Sequence, residues 1–127
     1  MDEATFKRRT QDAALAVIRL LDGLPHRTAS GVMARQMIRS ATSVGANYRA
    51  SCRGRSIKEI LAKLPIVEEE ADETLYWLEM LVGCGALSEA AVADLATEFS
   101  EILAMTVASQ RTLKRRIGRG GFAGTES

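Results

Sequence analysis

Proline, aromatic residues, cysteine and histidine are all scarce in this chain of 127 residues. There are two prolines, three Phe, two Tyr and one Trp. Ala, Leu, Glu and Arg are abundant and β-branched residues are few, a composition that favours helices over an all-β fold. No apolar run approaches the roughly 18 residues that a membrane span needs, and the acidic start at Asp2 and Glu3 is unlike a signal peptide. We therefore expect a one-domain, all-α cytoplasmic protein with no membrane partner.

Residues that carry common catalytic chemistry are equally few. Cys52 and Cys84 are too few for a disulfide framework and fit no metal-binding spacing, and His26 is the single histidine. The motifs G-x-x-x-x-G-K-[ST], G-x-G-x-x-G and G-x-S-x-G do not occur. We predict no bound metal, no cofactor and no enzymatic activity.

Apolar residues recur at steps of three and four residues in four segments, which is typical of helices with one buried face. The predicted helices cover residues 4–22, 30–52, 57–82 and 89–117. Gly23 and Pro25 end the first helix, Ser56 and Ser88 are placed to cap the third and fourth, and the third stops at the glycines around Cys84.

Connections of roughly three to eight residues force sequential helices to lie antiparallel. The pattern therefore predicts an antiparallel up-and-down four-helix bundle over residues 1–117, followed by a flexible tail at 118–127.

Charge is strongly segregated along the chain. The charged residues within 26–63 are all basic except Glu59. Residues 65–101 contain acidic residues and no basic one, and basic residues return at 111–119. On a helical wheel, Arg35, Arg39, Arg49 and Arg53 share one face of the second helix. This face is interpreted in two ways: as a solvated surface paired with acids on the third or fourth helix, or as a surface that binds a partner.

Small and polar residues form another line on the second helix, at Gln36, Ser40, Ser43 and Asn47. Their neighbours Ala41, Gly45 and Ala46 are small enough to let another helix approach closely. We favour close packing over chemistry for this line.

Away from its core stripe, the third helix carries Tyr76, Trp77, Met80 and Leu81. Outward-facing apolar clusters of this kind usually mark interfaces, in which Trp is enriched. We predict a homo-oligomer that meets through these residues; the alternative is that the bundle itself covers this side. Opposite charges on different helices also permit a heterologous contact, which can close into a ring.

Several segments together resemble one protein family. They are 36–50 (QMIRSATSVGANYRA), 53–56 (RGRS), 66–79 (IVEEEADETLYWLE) and 101–113 (EILAMTVASQRTL). They resemble the four helix bundle proteins, also called 23S rRNA intervening-sequence or S23-type proteins. The resemblance implies a ring-shaped assembly, commonly a homopentamer, with no known catalytic residue. The fold is also similar to that of the accessory protein of diversity-generating retroelements, whose basic pentameric barrel is thought to bind nucleic acid and a reverse transcriptase.

Two functional hypotheses follow from these patterns. In the first, an oligomer repeats a basic surface that binds the phosphate backbone of RNA or DNA. The candidate residues are Arg35, Arg39, Arg49, Arg53, Arg55, Arg111, Lys114, Arg115 and Arg116. In the second, the chain is a protein-interaction scaffold with a protein partner, and the arginines form salt bridges between subunits with Glu68, Glu69, Asp72 or Glu73. If Glu68 is buried, we expect it to find an arginine or amide partner on the second helix.

A third hypothesis is a metal-free RNase of the kind that uses an arginine and a histidine separated by four to six residues on a helical bundle. Arg19 and His26 have this spacing. Gly23 and Pro25 lie between them and would end the helix that should hold the pair. We therefore expect His26 to be an ordinary loop residue.

Overall fold

Four α-helices make up the computed structural model, which describes residues 2–25 and 28–120 and contains no β-strand in those ranges. The helices are α1 (Glu3–Asp22), α2 (Thr28–Cys52), α3 (Ile57–Gly83) and α4 (Glu89–Gly120). The all-α prediction is confirmed, and the predicted helix ends differ by at most a few residues. The helix α4 includes residues 118–120, which the sequence assigned to a tail, while 121–127 lie outside the described residues.

Side-chain caps explain where the helices begin. The Asp2 carboxylate accepts the Thr5 N–H at 2.7 Å, and this bond lowers the pKa of Asp2. Ser56 Oγ accepts the Glu59 N–H at 3.2 Å, and Ser88 Oγ accepts the Ala91 N–H at 3.1 Å, as the sequence predicted. After α3, Gly85 adopts a φ of +83°, a left-handed conformation that favours glycine and allows the chain to turn into α4.

The core draws apolar side chains from every helix. Its fully buried members include Val17, Met37, Ala41, Val44, Val67, Ala71, Leu81, Phe99 and Ile102. Almost all come from the predicted stripes at helical spacing, so burial of these stripes is what holds the four helices together. Within the described helices, none combines the length and apolar character needed to cross a bilayer.

Each helix packs against two others, α1 and α3 each lying against α2 and α4. Near the start of α1, the Phe6 ring meets the edge of Tyr48 near the end of α2, with ring centroids 4.5 Å apart. Between α3 and α4, the Gln110 amide donates to Glu68 at 2.7 Å. The closest approaches are fewest between α1 and α4.

The prediction of close packing along the line of small and polar residues on α2 is confirmed for Ser40 and the neighbouring Gly45, whereas Gln36 is exposed. A Cβ built on Gly45 would lie 3.4 Å from Thr10 Oγ1, so α1 passes close to this glycine. On the other side of α2, the fully buried Ser40 hydroxyl lies 2.8 Å from the Thr74 hydroxyl of α3. The Ser40 hydroxyl can also donate to Met37 O, and the Thr74 hydroxyl can also donate to Glu70 O. Each of these carbonyls belongs to the same helix as the hydroxyl.

Candidate nucleic-acid interface

The predicted basic face of α2 divides into two parts in the structure. Arg35 and Arg39 lie in the first half of the helix, whereas Arg49 and Arg53 lie near its end, all with exposed side chains. Arg39 and Arg53 are separated by about 21 Å of helix at 1.5 Å per residue. The two parts therefore have different neighbours.

Arg39 is paired within the subunit. Its guanidinium donates to Glu70 at 2.7 Å and also to Glu73, both on α3. Glu73 in turn accepts the indole N–H of Trp77 at 3.0 Å. The Trp77 N–H and Arg39 together lower the pKa of the Glu73 carboxyl, so this group stays ionised. The interpretation of the basic face as pairing with α3 is thus confirmed for Arg39, whose charge is already neutralised by acids.

A cleft of about 380 Å³ lies where one end of each of the four helices comes together. It is lined by Glu3 at the start of α1, Cys52 at the end of α2, Ile60 near the start of α3 and Arg116 near the end of α4. The first turns of α1 and α3 and the last turns of α2 and α4 therefore lie together at this end of the molecule.

Basic residues accumulate at the same end, and we call this group the basic end. Its members come from the loop between α2 and α3, the start of α3 and the last turns of α4, and all have exposed side chains: Arg53, Arg55, Lys58, Lys63, Arg111, Lys114, Arg115 and Arg116. No ion pair involves any of them within 2–25 and 28–120. Fewer acids lie close to this end: Glu3 lines the cleft, Glu59 is in the first turn of α3, and Glu68 contacts Gln110, which precedes Arg111. This end consequently has a strong positive field.

The fold unites two basic segments, 53–63 and 111–116, that are separated by 47 residues in sequence. The candidate site predicted from the sequence includes residues of both segments but lacks Lys58 and Lys63. Their charge was visible in the sequence, whereas their position beside α4 depends on the helix lengths and connections. Of the predicted residues, Arg53, Arg55, Arg111, Lys114, Arg115 and Arg116 come together, and Arg35 and Arg39 do not join them.

The cleft beside the basic end does not hold an activated nucleophile. Burial raises the pKa of the Cys52 thiol. Burial, followed by a hydrogen bond with Cys52, also raises the pKa of the Tyr48 phenol. Both groups are neutral near pH 7, and a neutral thiol is a poor nucleophile.

The predicted oligomer patch on α3 is only partly exposed. Tyr76 and Met80 face outward, with 50% and 39% of their surface exposed. Trp77 is half-buried against the core. The assignment of Leu81 to the outward patch is wrong, because Leu81 is fully buried. Apolar residues occur around much of this part of α3, so the sequence alone did not separate the two faces.

Two polar contacts were missed or misplaced by the sequence analysis. Arg9 of α1 forms a pair of hydrogen bonds to Glu98 of α4 at 2.6 and 2.9 Å, and a third to Glu101 at 2.9 Å. The spacing of these two acids at i and i+3 was the available signal. Glu68 does have an amide partner, but Gln110 lies on α4 and not on the second helix as expected.

The RNase hypothesis depends on His26, which lies outside the described residues. Arg19 is exposed in the last turn of α1. Within the described part of the chain, no three His, Cys, Asp or Glu side chains are grouped so that they could hold a metal ion.

Comparison with known protein families identifies the family of this chain. The model of the 23S rRNA-intervening sequence protein family matches residues 3–108. The chain belongs to this family. The match ends within α4, so the basic residues from Arg111 to Arg116 lie beyond it. A search among curated proteins finds no match.

A solved structure supports the same assignment. It is a protein of unknown function from the S23 ribosomal protein family of Bacteroides thetaiotaomicron, to which this chain is 28% identical. The similarity covers 87% of this chain and 99% of that one, with a TM-score of 0.80. Family and fold therefore agree along the four helices.

Proposed function

We propose that this member of the 23S rRNA-intervening sequence protein family is a non-enzymatic protein that binds the phosphate backbone of nucleic acid through its basic end, as a homo-oligomer. The observation that carries the proposal is the convergence of basic side chains from the α2–α3 loop, α3 and α4 at one end, without an ion pair to an acid among the described residues. Such exposed cations release counterions from nucleic acid on binding and give affinity without reading bases.

The contrast with Arg9 and Arg39 supports the basic end as a binding surface. Both of these arginines are held by two carboxylates each. A phosphate would have to displace those carboxylates. At the basic end, a phosphate gains a charge-assisted hydrogen bond without breaking an ion pair seen in the described structure.

Neither the matched family nor the solved relative carries the name of an enzymatic activity. The raised pKa values of Cys52 and Tyr48 also support a role in binding, since the cleft beside the cations offers no activated group for acyl or phosphoryl transfer.

The proposal includes an antiparallel bundle. Two observations support it: Phe6 contacts Tyr48, and Gln110 contacts Glu68. In each case, a residue nearer the start of one helix of the pair meets one nearer the end of the other. Alternation of this kind brings four helix ends to one side and concentrates the basic segments there.

Self-assembly is the second part of the proposal. The exposed Tyr76 and Met80 support it, because apolar side chains on the outer face of a helix gain free energy when another surface covers them. The resemblance to the family points to a ring of five copies. A ring would repeat the basic end and raise the effective concentration of cations along a nucleic acid.

The same exposed residues favour the alternative, a scaffold whose partner is another protein. In that case, the apolar surface of α3 would be the binding site and the basic end would not be required. The two functions differ in their dependence on salt, because apolar contacts survive ionic strength that screens phosphate contacts.

The test uses the full chain and fluorescently labelled RNA and DNA duplexes of identical sequence, of about 20 base pairs, at about 50 and about 200 mM salt. We expect binding in low salt that weakens at least tenfold in high salt. The variant Lys114→Gln/Arg115→Gln should bind at least tenfold more weakly and reduce the slope of log affinity against log salt by about 2.

The matched control is Arg19→Gln/Arg35→Gln, which removes the same charge from exposed positions away from the basic end. It should bind nearly as well as the wild type. Equal losses in the two variants would show that the basic end is not the binding surface, and no shift of either duplex in low salt would overturn the nucleic-acid function.

A further inference from the structure

One line of side chains along α3 combines apolar and acidic residues, all exposed except the half-buried Glu73, which is bonded to Arg39 and Trp77. Ile66, Glu69, Glu73, Tyr76 and Met80 follow one another at steps of three and four residues, so they share one face. Ile66, Tyr76 and Met80 belong to the exposed large apolar residues of the molecule. We call this line the α3 stripe; it extends about 21 Å from Ile66 to Met80.

A groove of about 340 Å³ lies on another side of the molecule, between α1 and α2. Its apolar part is formed by Leu15, which is 44% exposed, and by Ile18, over a floor of small residues at Gly45 and Ala46. Its wall toward the start of α1 and the end of α2 is basic, being formed by Lys7 and Arg49. We call this surface the α1/α2 groove.

We propose that the α3 stripe of one copy docks into the α1/α2 groove of a second copy. The stripe is apolar and acidic, while the groove is apolar and basic, so both the hydrophobic and the electrostatic parts of the contact are complementary. Within the described residues, neither Glu69 nor Arg49 has an ion-pair partner, which leaves both charges available for this contact.

The spacing along the two surfaces also agrees. Glu69 and Met80 are eleven residues apart on α3, and Lys7 and Ile18 are eleven residues apart on α1, or about 16 Å in each case. With Glu69 beside the basic wall, Tyr76 reaches the level of Leu15 and Met80 reaches that of Ile18. A helix with large apolar side chains at this spacing suits a groove with a floor of small residues.

This pairing joins two different surfaces, so the contact is heterologous and can close into a ring. Glu3 and Ile60 line the same cleft, so α1 and α3 begin at the same end of the molecule. An α3 stripe that runs alongside a neighbour's α1 in the same direction therefore keeps both copies pointing the same way. All basic ends then lie on one side of the assembly, and Arg49 serves subunit contact instead of phosphate binding.

The inference rests on the self-assembly proposed above, and a mixing experiment with the full chain tests it. Tyr76→Glu blocks the stripe and Leu15→Glu blocks the groove; both positions are exposed, and circular dichroism checks that the helices remain. Light scattering should give the wild type as an oligomer and each variant as a single chain. An equimolar mixture should give a dimer and nothing larger, because each variant retains one working surface.

A charge exchange provides an independent second test. Glu69→Arg and Arg49→Glu should each weaken assembly at least tenfold, and the double variant should recover most of the loss. Val32→Glu is the matched control for Tyr76→Glu and Leu15→Glu, because Val32 is 46% exposed and lies outside both surfaces. It should assemble like the wild type.

The outcomes distinguish this inference from the proposed function. A monomeric wild type would overturn self-assembly and the docking together, without affecting nucleic-acid binding by single chains. An oligomeric wild type whose mass is unchanged by Leu15→Glu would overturn the docking alone. Two monomeric variants whose equimolar mixture stays monomeric would also overturn the docking alone.

Discussion

The middle of the molecule and its basic end use arginine in opposite ways. In the middle, Arg9 and Arg39 each bind two carboxylates on a neighbouring helix, and the buried hydroxyls of Ser40 and Thr74 meet across the α2–α3 contact. At the basic end, exposed cations, of which Arg116 lines the open cleft, make no ion pair in the described structure. Charged side chains in the middle therefore hold helices together, whereas those at the basic end are available to a ligand.

The largest effect we expect concerns burial in the two regions. Phe99 is fully buried in α4, so Phe99→Ala should lower the free energy of unfolding by about 3–5 kcal/mol. Leu113 lies farther along the same helix and lines the open cleft, so Leu113→Ala should cost less than about half as much. Denaturant unfolding followed by circular dichroism measures both, and equal losses would show that the cleft end is as tightly packed as the middle.

A smaller effect is expected for the α1–α4 contact, where close approaches are fewest. Arg9→Gln should lower the free energy of unfolding by about 1 kcal/mol, because the charge-assisted bonds to Glu98 and Glu101 are partly exposed to solvent. Hydrogen exchange should increase in α1 more than in α3. Arg8→Gln is the control, since the neighbouring Arg8 is exposed and has no ion pair among the described residues; an identical result for the two would remove any special role for Arg9.

The next effect depends on pH. The pKa of Glu73 is lowered from its ordinary value of 4.5 by the Trp77 N–H and by Arg39. Its contribution to stability is therefore complete above pH 4.5 and is lost as the pH falls through the lower pKa of the folded state. Glu73→Gln should reduce the loss of stability below pH 4.5, and Trp77 fluorescence should report the same transition. A pH profile unchanged by this substitution would contradict the assigned role.

The smallest effect on folding should come from the basic end itself. Lys114→Gln/Arg115→Gln should change the free energy of unfolding by no more than about 0.5 kcal/mol, because both side chains are exposed and unpaired in the described structure. The same variant is expected to lose nucleic-acid affinity. Substantial destabilisation would show that these cations support the fold, and the distinction between the two regions would then disappear.

The helices and most of the core could be predicted because apolar residues repeat at helical spacing and capping residues mark the starts. Leu81 shows where such reasoning fails. Adjacent residues differ by 100° around a helix, and around Leu81 apolar residues occupy several directions, so periodicity does not tell which of Met80 and Leu81 is buried.

The candidate site was predictable only in part, for a different reason. Exposed cations were evident from their charge, but the acids that neutralise Arg39 lie on another helix, and their proximity depends on how α3 is aligned along α2. The union of Arg53 and Arg55 with Arg111 to Arg116 likewise depends on three-dimensional proximity. The sequence shows which residues are charged, and the fold determines which of these charges remain available to a ligand.

The buried hydroxyl pair between Ser40 and Thr74 has a consequence for the accuracy of the whole assembly. The other core side chains of α2 and α3 are apolar and make no directional bond that would fix the position of α3 along α2. A shift of α3 by one turn would break the bond between the two hydroxyls, at a cost of about 1 kcal/mol. A single polar pair thus discourages helix sliding and keeps Arg39 opposite its two carboxylates.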